Sequence, residues 1–167
     1  SLRKQARELA VNGVCLRFIG DRARLSPELQ QAMVDAESAV IATVRLTLNI
    51  AVNYGGRWDI VNAARALARE AQAGNIEPDA IDQQSFERHL SLAPLPEPDL
   101  FIRTGGDARI SNFLLWHLAY TELYFTPVLW PDFDDQALNS ALVEFAQRER
   151  RFGKTSAQVR AEGAVAH

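Results

Sequence analysis

Two arginines, a serine and a pair of glycines fall within nine residues, in the order Arg103-Thr104-Gly105-Gly106-Asp107-Ala108-Arg109-Ile110-Ser111. Planar guanidinium forks match phosphate oxygens in pairs, a hydroxyl adds a further donor, and adjacent glycines let the backbone turn where side chains would clash. Leu100-Phe101-Ile102 ahead of them is apolar enough for a short strand, and the apolar stretch 113–120, opening behind Ser111 and Asn112, reads as a helix. The N–H groups of its first turn would be unpaired and would add partial positive charge to the same turn. Donors converging in this way suit a diphosphate. Alone, either arginine could equally serve a surface ion pair.

Glu122 lies between that apolar stretch and Leu123-Tyr124-Phe125, a poor place for a carboxylate without a cation facing it; an arginine is one answer. A second glycine turn, Asn53-Tyr54-Gly55-Gly56-Arg57-Trp58-Asp59, joins a strand end to a helix start, on the side of a parallel sheet where ligands bind. Asp59 suits a first helical turn for its own sake, facing the positive pole of the helix. Asp134-Asp135 opens a helix behind Trp130-Pro131 and has no second copy, so capping accounts for it. Arg148-Glu149-Arg150-Arg151-Phe152-Gly153 reads as a solvated helix end with its arginines set against the negative pole. His89, His117 and His167 have no metal-ligand spacing, and no chemistry is assigned to them.

Alternating helices and strands must position these groups, which predicts an α/β fold with a largely parallel central sheet flanked by helices. Helical patterns cover 3–11, 27–44, 58–73 and 134–150, and strands are expected at 15–19, 46–52, 100–102 and 123–125. Ser26-Pro27-Glu28 supplies an N-cap, a first-turn proline and an early acid, while Gly74-Asn75 is a helix stop. Three prolines in 92–98 forbid a helix there and deliver the chain extended into the next strand. The mostly apolar strand 46–52 is either ordinary core or the wall of an apolar tunnel. Cys15, the single cysteine, reads as a buried strand residue.

At 167 residues, 47% hydrophobic and 23% charged, the chain can build one core of ordinary size. A net charge of −3 offers no basic field for nucleic acid, and no apolar run approaches the ~20 residues of a membrane span. A lone cysteine and no signal-peptide pattern fit a cytoplasmic protein.

Three segments together resemble the cis-prenyltransferases, most closely the bacterial undecaprenyl diphosphate synthase group: the run from Pro98 through the arginine turn to Trp116, the run from Glu122 to Phe133, and the run from Asn49 to Ile60. The resemblance extends from about residue 3 to 153 and implies that the C-terminal portion of one such domain occupies 1–153; the polar residues 154–167 that follow are expected to be a disordered tail. It implies condensation of isopentenyl diphosphate units onto an allylic diphosphate, farnesyl diphosphate being the expected primer, to make a long carrier lipid for cell-wall synthesis. Arg103, Arg109 and Ser111 would hold the diphosphate of isopentenyl diphosphate with backbone amides around Ile110 assisting, Asp59 would lie near that substrate, and Glu122 would bind Mg²⁺ beside it. Ala108 stands where many relatives carry a metal-contacting histidine, leaving Asp107 as the neighbouring substitute. Arg151 and Gly153 match an Arg-x-Gly that reaches across a homodimer toward the partner's site. The lipid product would draw the enzyme to a membrane surface.

The family's opening Asp-Gly-Asn-Gly-Arg-Trp segment, which carries the catalytic aspartate, has no counterpart after Ser1, and the chain lacks an initiating methionine. The expectation is therefore a piece holding the isopentenyl half of the site without the allylic half. Two other readings stay open: a non-catalytic partner subunit that lends its Arg-x-Gly, and a general phosphate-binding module. Intact phosphate-gripping residues argue against the first, and the lack of Gly-x-Gly-x-x-Gly or Gly-Lys-Ser/Thr loops argues against the second.

Overall fold

In the first of the chain's two compact units, Ser1–Pro96, a helix stops where a glycine takes a conformation other residues resist. Helix α1 (Leu2–Val11) ends at Gly13, whose φ is +78° and whose missing Cβ would stand 2.8 Å from the Thr43 carbonyl oxygen. The Gly13 carbonyl then accepts the Arg45 N–H at 2.8 Å, which sets the start of one strand beside the start of another. Those strands, β1 (Val14–Ile19) and β2 (Leu46–Ala51), run parallel with Val14 opposite Leu46 and Ile19 opposite Ala51. The structure, a computed structural model, describes residues 2–148.

Period-two alternation places Leu16 and Phe18 of β1 in the core with Ala6, Met33 and Ala36 from the helices. Cys15, on the alternate face, is half-buried rather than enclosed. Helix α2 (Pro27–Glu37) begins as expected, with the Ser26 hydroxyl accepting the Leu29 N–H. It does not reach residue 44. The Ser38 hydroxyl turns back to the Asp35 carbonyl, and the next residues, Val40, Ile41, Thr43 and Val44, are β-branched and hold a helix poorly. Glu37 at the helix end accepts the Phe18 N–H at 2.7 Å and an Arg22 N–H at 2.8 Å. Burial pushes its carboxyl up, but those bonds outweigh it and hold the group below the usual carboxylate range.

Gly20 closes β1. Its φ is +121°, and a Cβ there would lie 2.1 Å from the Val52 carbonyl oxygen, so only glycine fits. Beyond it the Asp21 N–H reaches the Asn53 carbonyl, and the Asn53 side chain donates to the Asp21 carbonyl at 3.0 Å. Helix α3 (Gly56–Gln72) starts in the glycine turn two residues earlier than its pattern suggests and buries Gly56, Asp59, Ala63 and Leu67 along one stripe. Strand β2 is only partly core: Leu46 and Leu48 are exposed while Ile50 packs inward. A short helix the periodicity does not reveal, α4 (Gln83–Glu87), is fixed by a reciprocal capping box between Asp82 and Ser85.

The second unit, Glu97–His167, holds a second parallel pair, β3 (Leu100–Arg103) and β4 (Glu122–Phe125), with Leu100 opposite Glu122 and Arg103 opposite Phe125. The described strands thus form two separate parallel pairs, one in each unit. Helix α5 (Asp135–Gln147) packs on β4 and fully buries Ala141, and Asp134 caps it by accepting the Ala137 N–H.

One expected helix is absent. Residues 113–120 form a string of turns, because Ser111, Asn112 and Leu114 all hold positive φ, at 46°, 62° and 46°. Left-handed residues so close together break the i to i−4 ladder before it can propagate. The turns still bury Leu114 and His117, so apolar periodicity signalled burial here and not helix.

Candidate functional site

Arg103 is the last residue of β3, and its side chain organises the turn that follows. One guanidinium nitrogen, Nη1, donates to the Arg109 carbonyl at 2.6 Å and to the Ser111 hydroxyl at 2.7 Å; the other, Nη2, donates to Asp107 Oδ2 at 2.9 Å. Arg109 Nη2 reaches that same Oδ2 at 2.7 Å. The structure therefore brings together Arg103, Arg109 and Ser111, with Ile110 between the last two and its carbonyl accepting the Phe113 N–H. Arg103 is sunk into the turn, whereas the Arg109 side chain is 67% exposed.

The donors differ from those the sequence suggests in one respect. With no helix at 113–120, that segment offers the turn no helix N-terminus, so the anion-binding argument rests on side chains. The glycine amides are also committed: Gly105 N–H donates to the Val128 carbonyl at 2.8 Å and Gly106 N–H to the Thr126 carbonyl at 3.0 Å. The glycines shape the turn, with φ near +86° and +81°, and the guanidinium groups and the hydroxyl supply its chemistry.

Glu122 does not join this group. It begins β4, level with Leu100, while Arg103 sits level with Phe125, three strand positions or roughly 10 Å along the pair. Its cation is Arg148, whose Nη1 donates to Glu122 Oε2 at 3.0 Å and to the Leu123 carbonyl at 2.8 Å. In this structure Glu122 carries an ion pair, made by an arginine 26 residues away in sequence. Asp107, the substitute ligand, is held by the two arginines. Among the described residues no three His, Cys, Asp or Glu side chains are grouped to hold a metal.

Asp59, in the first unit, is 3% exposed. Its Oδ2 accepts the Tyr54 hydroxyl at 2.9 Å, and its Oδ1 accepts the Ser91 N–H at 3.0 Å and the Ser91 hydroxyl at 2.7 Å. Burial first, and then the bond to Asp59, push the Tyr54 hydroxyl above its ordinary value. The carboxylate is a fastening between the start of α3 and the segment around Ser91, not a group open to solvent. Ser91 carried no signal beyond its polarity and Arg148 read only as part of a solvated helix end, whereas Asp107 was visible as an acid four residues after one arginine and two before the other. Arg151 and Gly153 lie outside the described residues.

The sequence profile described as "Putative undecaprenyl diphosphate synthase" matches residues 1–153. A ditrans,polycis-undecaprenyl-diphosphate synthase ((2E,6E)-farnesyl-diphosphate specific) of Pseudomonas syringae pv. tomato is 55% identical over 161 residues, which is 96% of this chain and 64% of that protein. The protein of the same description from Escherichia coli is 52% identical, over 93% of this chain and 61% of its own length. The chain thus spans somewhat under two thirds of these curated relatives. Among solved structures, lavandulyl diphosphate synthase from Lavandula x intermedia, in complex with dimethylallyl diphosphate, superposes with a TM-score of 0.87 at 43% identity, covering 92% of this chain and 66% of that one.

Proposed function

Because the chain belongs to the undecaprenyl diphosphate synthase family of prenyltransferases, we propose that it takes part in cis-prenyl transfer and that its arginine turn grips the diphosphate of isopentenyl diphosphate. The observation that carries this reading is the Arg103 guanidinium, bonded to the Ser111 hydroxyl and sharing Asp107 with Arg109. Two cations and a hydroxyl held in register by the protein's own bonds are prepared for a second anion, and among the described residues part of the Arg103 donor set has no partner. Ile110 contributes backbone to the same cradle.

In the reaction so proposed, the carbon–oxygen bond of the allylic diphosphate breaks and the diphosphate leaves with the electron pair. The isopentenyl double bond attacks that carbon, and loss of a proton leaves a new cis double bond. This chain's part is to orient one reactant by its charged end, converting a chance encounter into a fixed approach. Asp59, sealed from solvent, acts as a positioning residue for the glycine turn from Asn53 onward. Farnesyl diphosphate, the primer named for the curated relatives, is the proposed allylic partner, and undecaprenyl diphosphate the proposed product. Magnesium is the proposed counter-ion for diphosphates of this kind, with Glu122 as the proposed protein ligand, and no step is assigned to it.

Residues 1–153, the stretch the family profile matches, are read as part of one prenyltransferase domain. The working unit is proposed to be a homodimer with Arg151 and Gly153 at the shared boundary, cytoplasmic and drawn to the membrane surface by its lipid product. No described helix is long and apolar enough to cross a membrane. Binding of labelled isopentenyl diphosphate tests the proposal: Arg103→Ala should weaken it about ten- to hundredfold, the worth of one charge-assisted hydrogen bond. Unchanged affinity would remove the turn from the site and favour the reading of a partner subunit.

A further inference from the structure

A single carboxylate oxygen, Asp107 Oδ2, receives bonds from both arginines of the turn, at 2.9 Å from Arg103 and 2.7 Å from Arg109. One oxygen bridging two guanidinium groups is the arrangement a phosphate oxygen would make there. We propose that Asp107 is a built-in counter-anion that occupies the phosphate face of the arginine turn and is displaced by the diphosphate, and so sets how tightly the substrate is held and how readily it leaves. This inference rests on the proposed role of the turn.

The bonds in the cluster divide into two kinds. Those from Arg103 to the Arg109 carbonyl and the Ser111 hydroxyl tie the guanidinium to neutral groups of the turn and need not break when an anion arrives. Those to Asp107 compete directly with any anion. The Asp107 side chain is 45% exposed and Arg109 67% exposed, so the carboxylate can swing into water without opening a core. Gly105 and Gly106 immediately precede it at positive φ; a side chain at Gly105 would meet nothing within 4 Å, and one at Gly106 only Pro127 at 3.9 Å. The local backbone therefore has space to adjust as the carboxylate departs. Without Asp107 the two cations would face each other unscreened; with it the ligand-free turn stays assembled, at the expense of affinity.

An alternative role predicts the opposite sign. If Asp107 only aims the arginines, removing its charge splays them and weakens binding. The probe is inorganic pyrophosphate, titrated calorimetrically into the chain. Asp107→Asn, which keeps size and removes charge, should tighten pyrophosphate binding about three- to tenfold, the range expected for releasing two exposed ion pairs. It should lower the unfolding temperature of the free protein and enlarge the rise that pyrophosphate produces. Asp107→Glu should stay near wild type, and in Arg109→Ala the gain from Asp107→Asn should shrink. Weaker or unchanged binding by Asp107→Asn, with wild-type binding intact and Arg103-dependent, overturns the counter-anion role. Wild-type binding that ignores Arg103→Ala instead overturns the proposed function of the turn, so the two failures are separable.

Discussion

Replacing Asp59 by alanine should cost the first unit several kcal/mol, and replacing it by asparagine much less. The carboxylate is 3% exposed and accepts three bonds, from the Tyr54 hydroxyl, the Ser91 N–H and the Ser91 hydroxyl. Alanine leaves all three donors without their acceptor. The two hydroxyls can rotate toward other oxygens, but the backbone N–H of Ser91 cannot, and a buried unsatisfied donor costs about 1–3 kcal/mol. Adding a smaller loss for each hydroxyl gives roughly 2–5 kcal/mol. Asparagine retains an oxygen where Ser91 donates, and Tyr54 can turn its hydroxyl to accept from the amide, so about 1 kcal/mol is expected. The assay is urea unfolding followed by fluorescence of Trp58, which sits edge-on to Tyr54. Alkali gives a second reading of the same contact. The folded state holds the Tyr54 proton above the ordinary value of 10.0, so the unfolded chain releases it first. Stability from this group is complete below that pH and is lost as pH rises toward the folded value; Tyr54→Phe should flatten the decline. An Asp59→Ala protein within about 1 kcal/mol of wild type, or an Asp59→Asn protein equally damaged, would refute the reasoning.

Two further outcomes test the frame around the site. Gly20→Ala should prevent folding of the first unit or cost more than about 3 kcal/mol, because a Cβ would meet the Val52 carbonyl oxygen at 2.1 Å, whereas Gly74→Ala, with φ +72° but open space, should cost about 1–2 kcal/mol; equal effects in thermal melts would discredit the close-approach argument. Glu37→Gln should destabilise by about 1–3 kcal/mol near neutral pH. The Glu37 carboxyl is held below its ordinary 4.5, so its contribution exists above that value and fades as pH falls through the lower folded value; the gap between variant and wild type must close in acid and not in alkali.

The parts of the fold legible in the sequence are those where one local rule decides. Apolar runs marked the strands, and Ser26-Pro27 and Asp134 marked helix starts that the structure places within a residue. Boundaries set by distant or dihedral facts were not legible. Nothing in the periodicity of 113–120 announces three left-handed residues, and nothing in 38–44 tells a helix end from a continuing amphipathic stripe until Ser38 is seen bonded back to Asp35. Of the candidate site, the cluster of Arg103, Arg109 and Ser111 was readable because its members are neighbours in the chain. The partner of Glu122 was not, since Arg148 arrives from beyond another helix. Asp59 illustrates the middle case: a helix-start acid was foreseeable, its three donors were not, because Ser91 comes from a segment 32 residues later.

The commitment of the Gly105 and Gly106 amides to the Val128 and Thr126 carbonyls gives the arginine turn a pair of natural reporters. Neither N–H is offered to a ligand, yet both belong to the backbone that carries the arginines. Glycine amides resonate apart from most others in a nitrogen-edited spectrum. Two isolated signals would therefore register occupancy of the turn through changes in their own bond lengths, unconfused by direct contact with whatever is bound. Their exchange with deuterium would time the opening of the 126–128 segment in the same experiment.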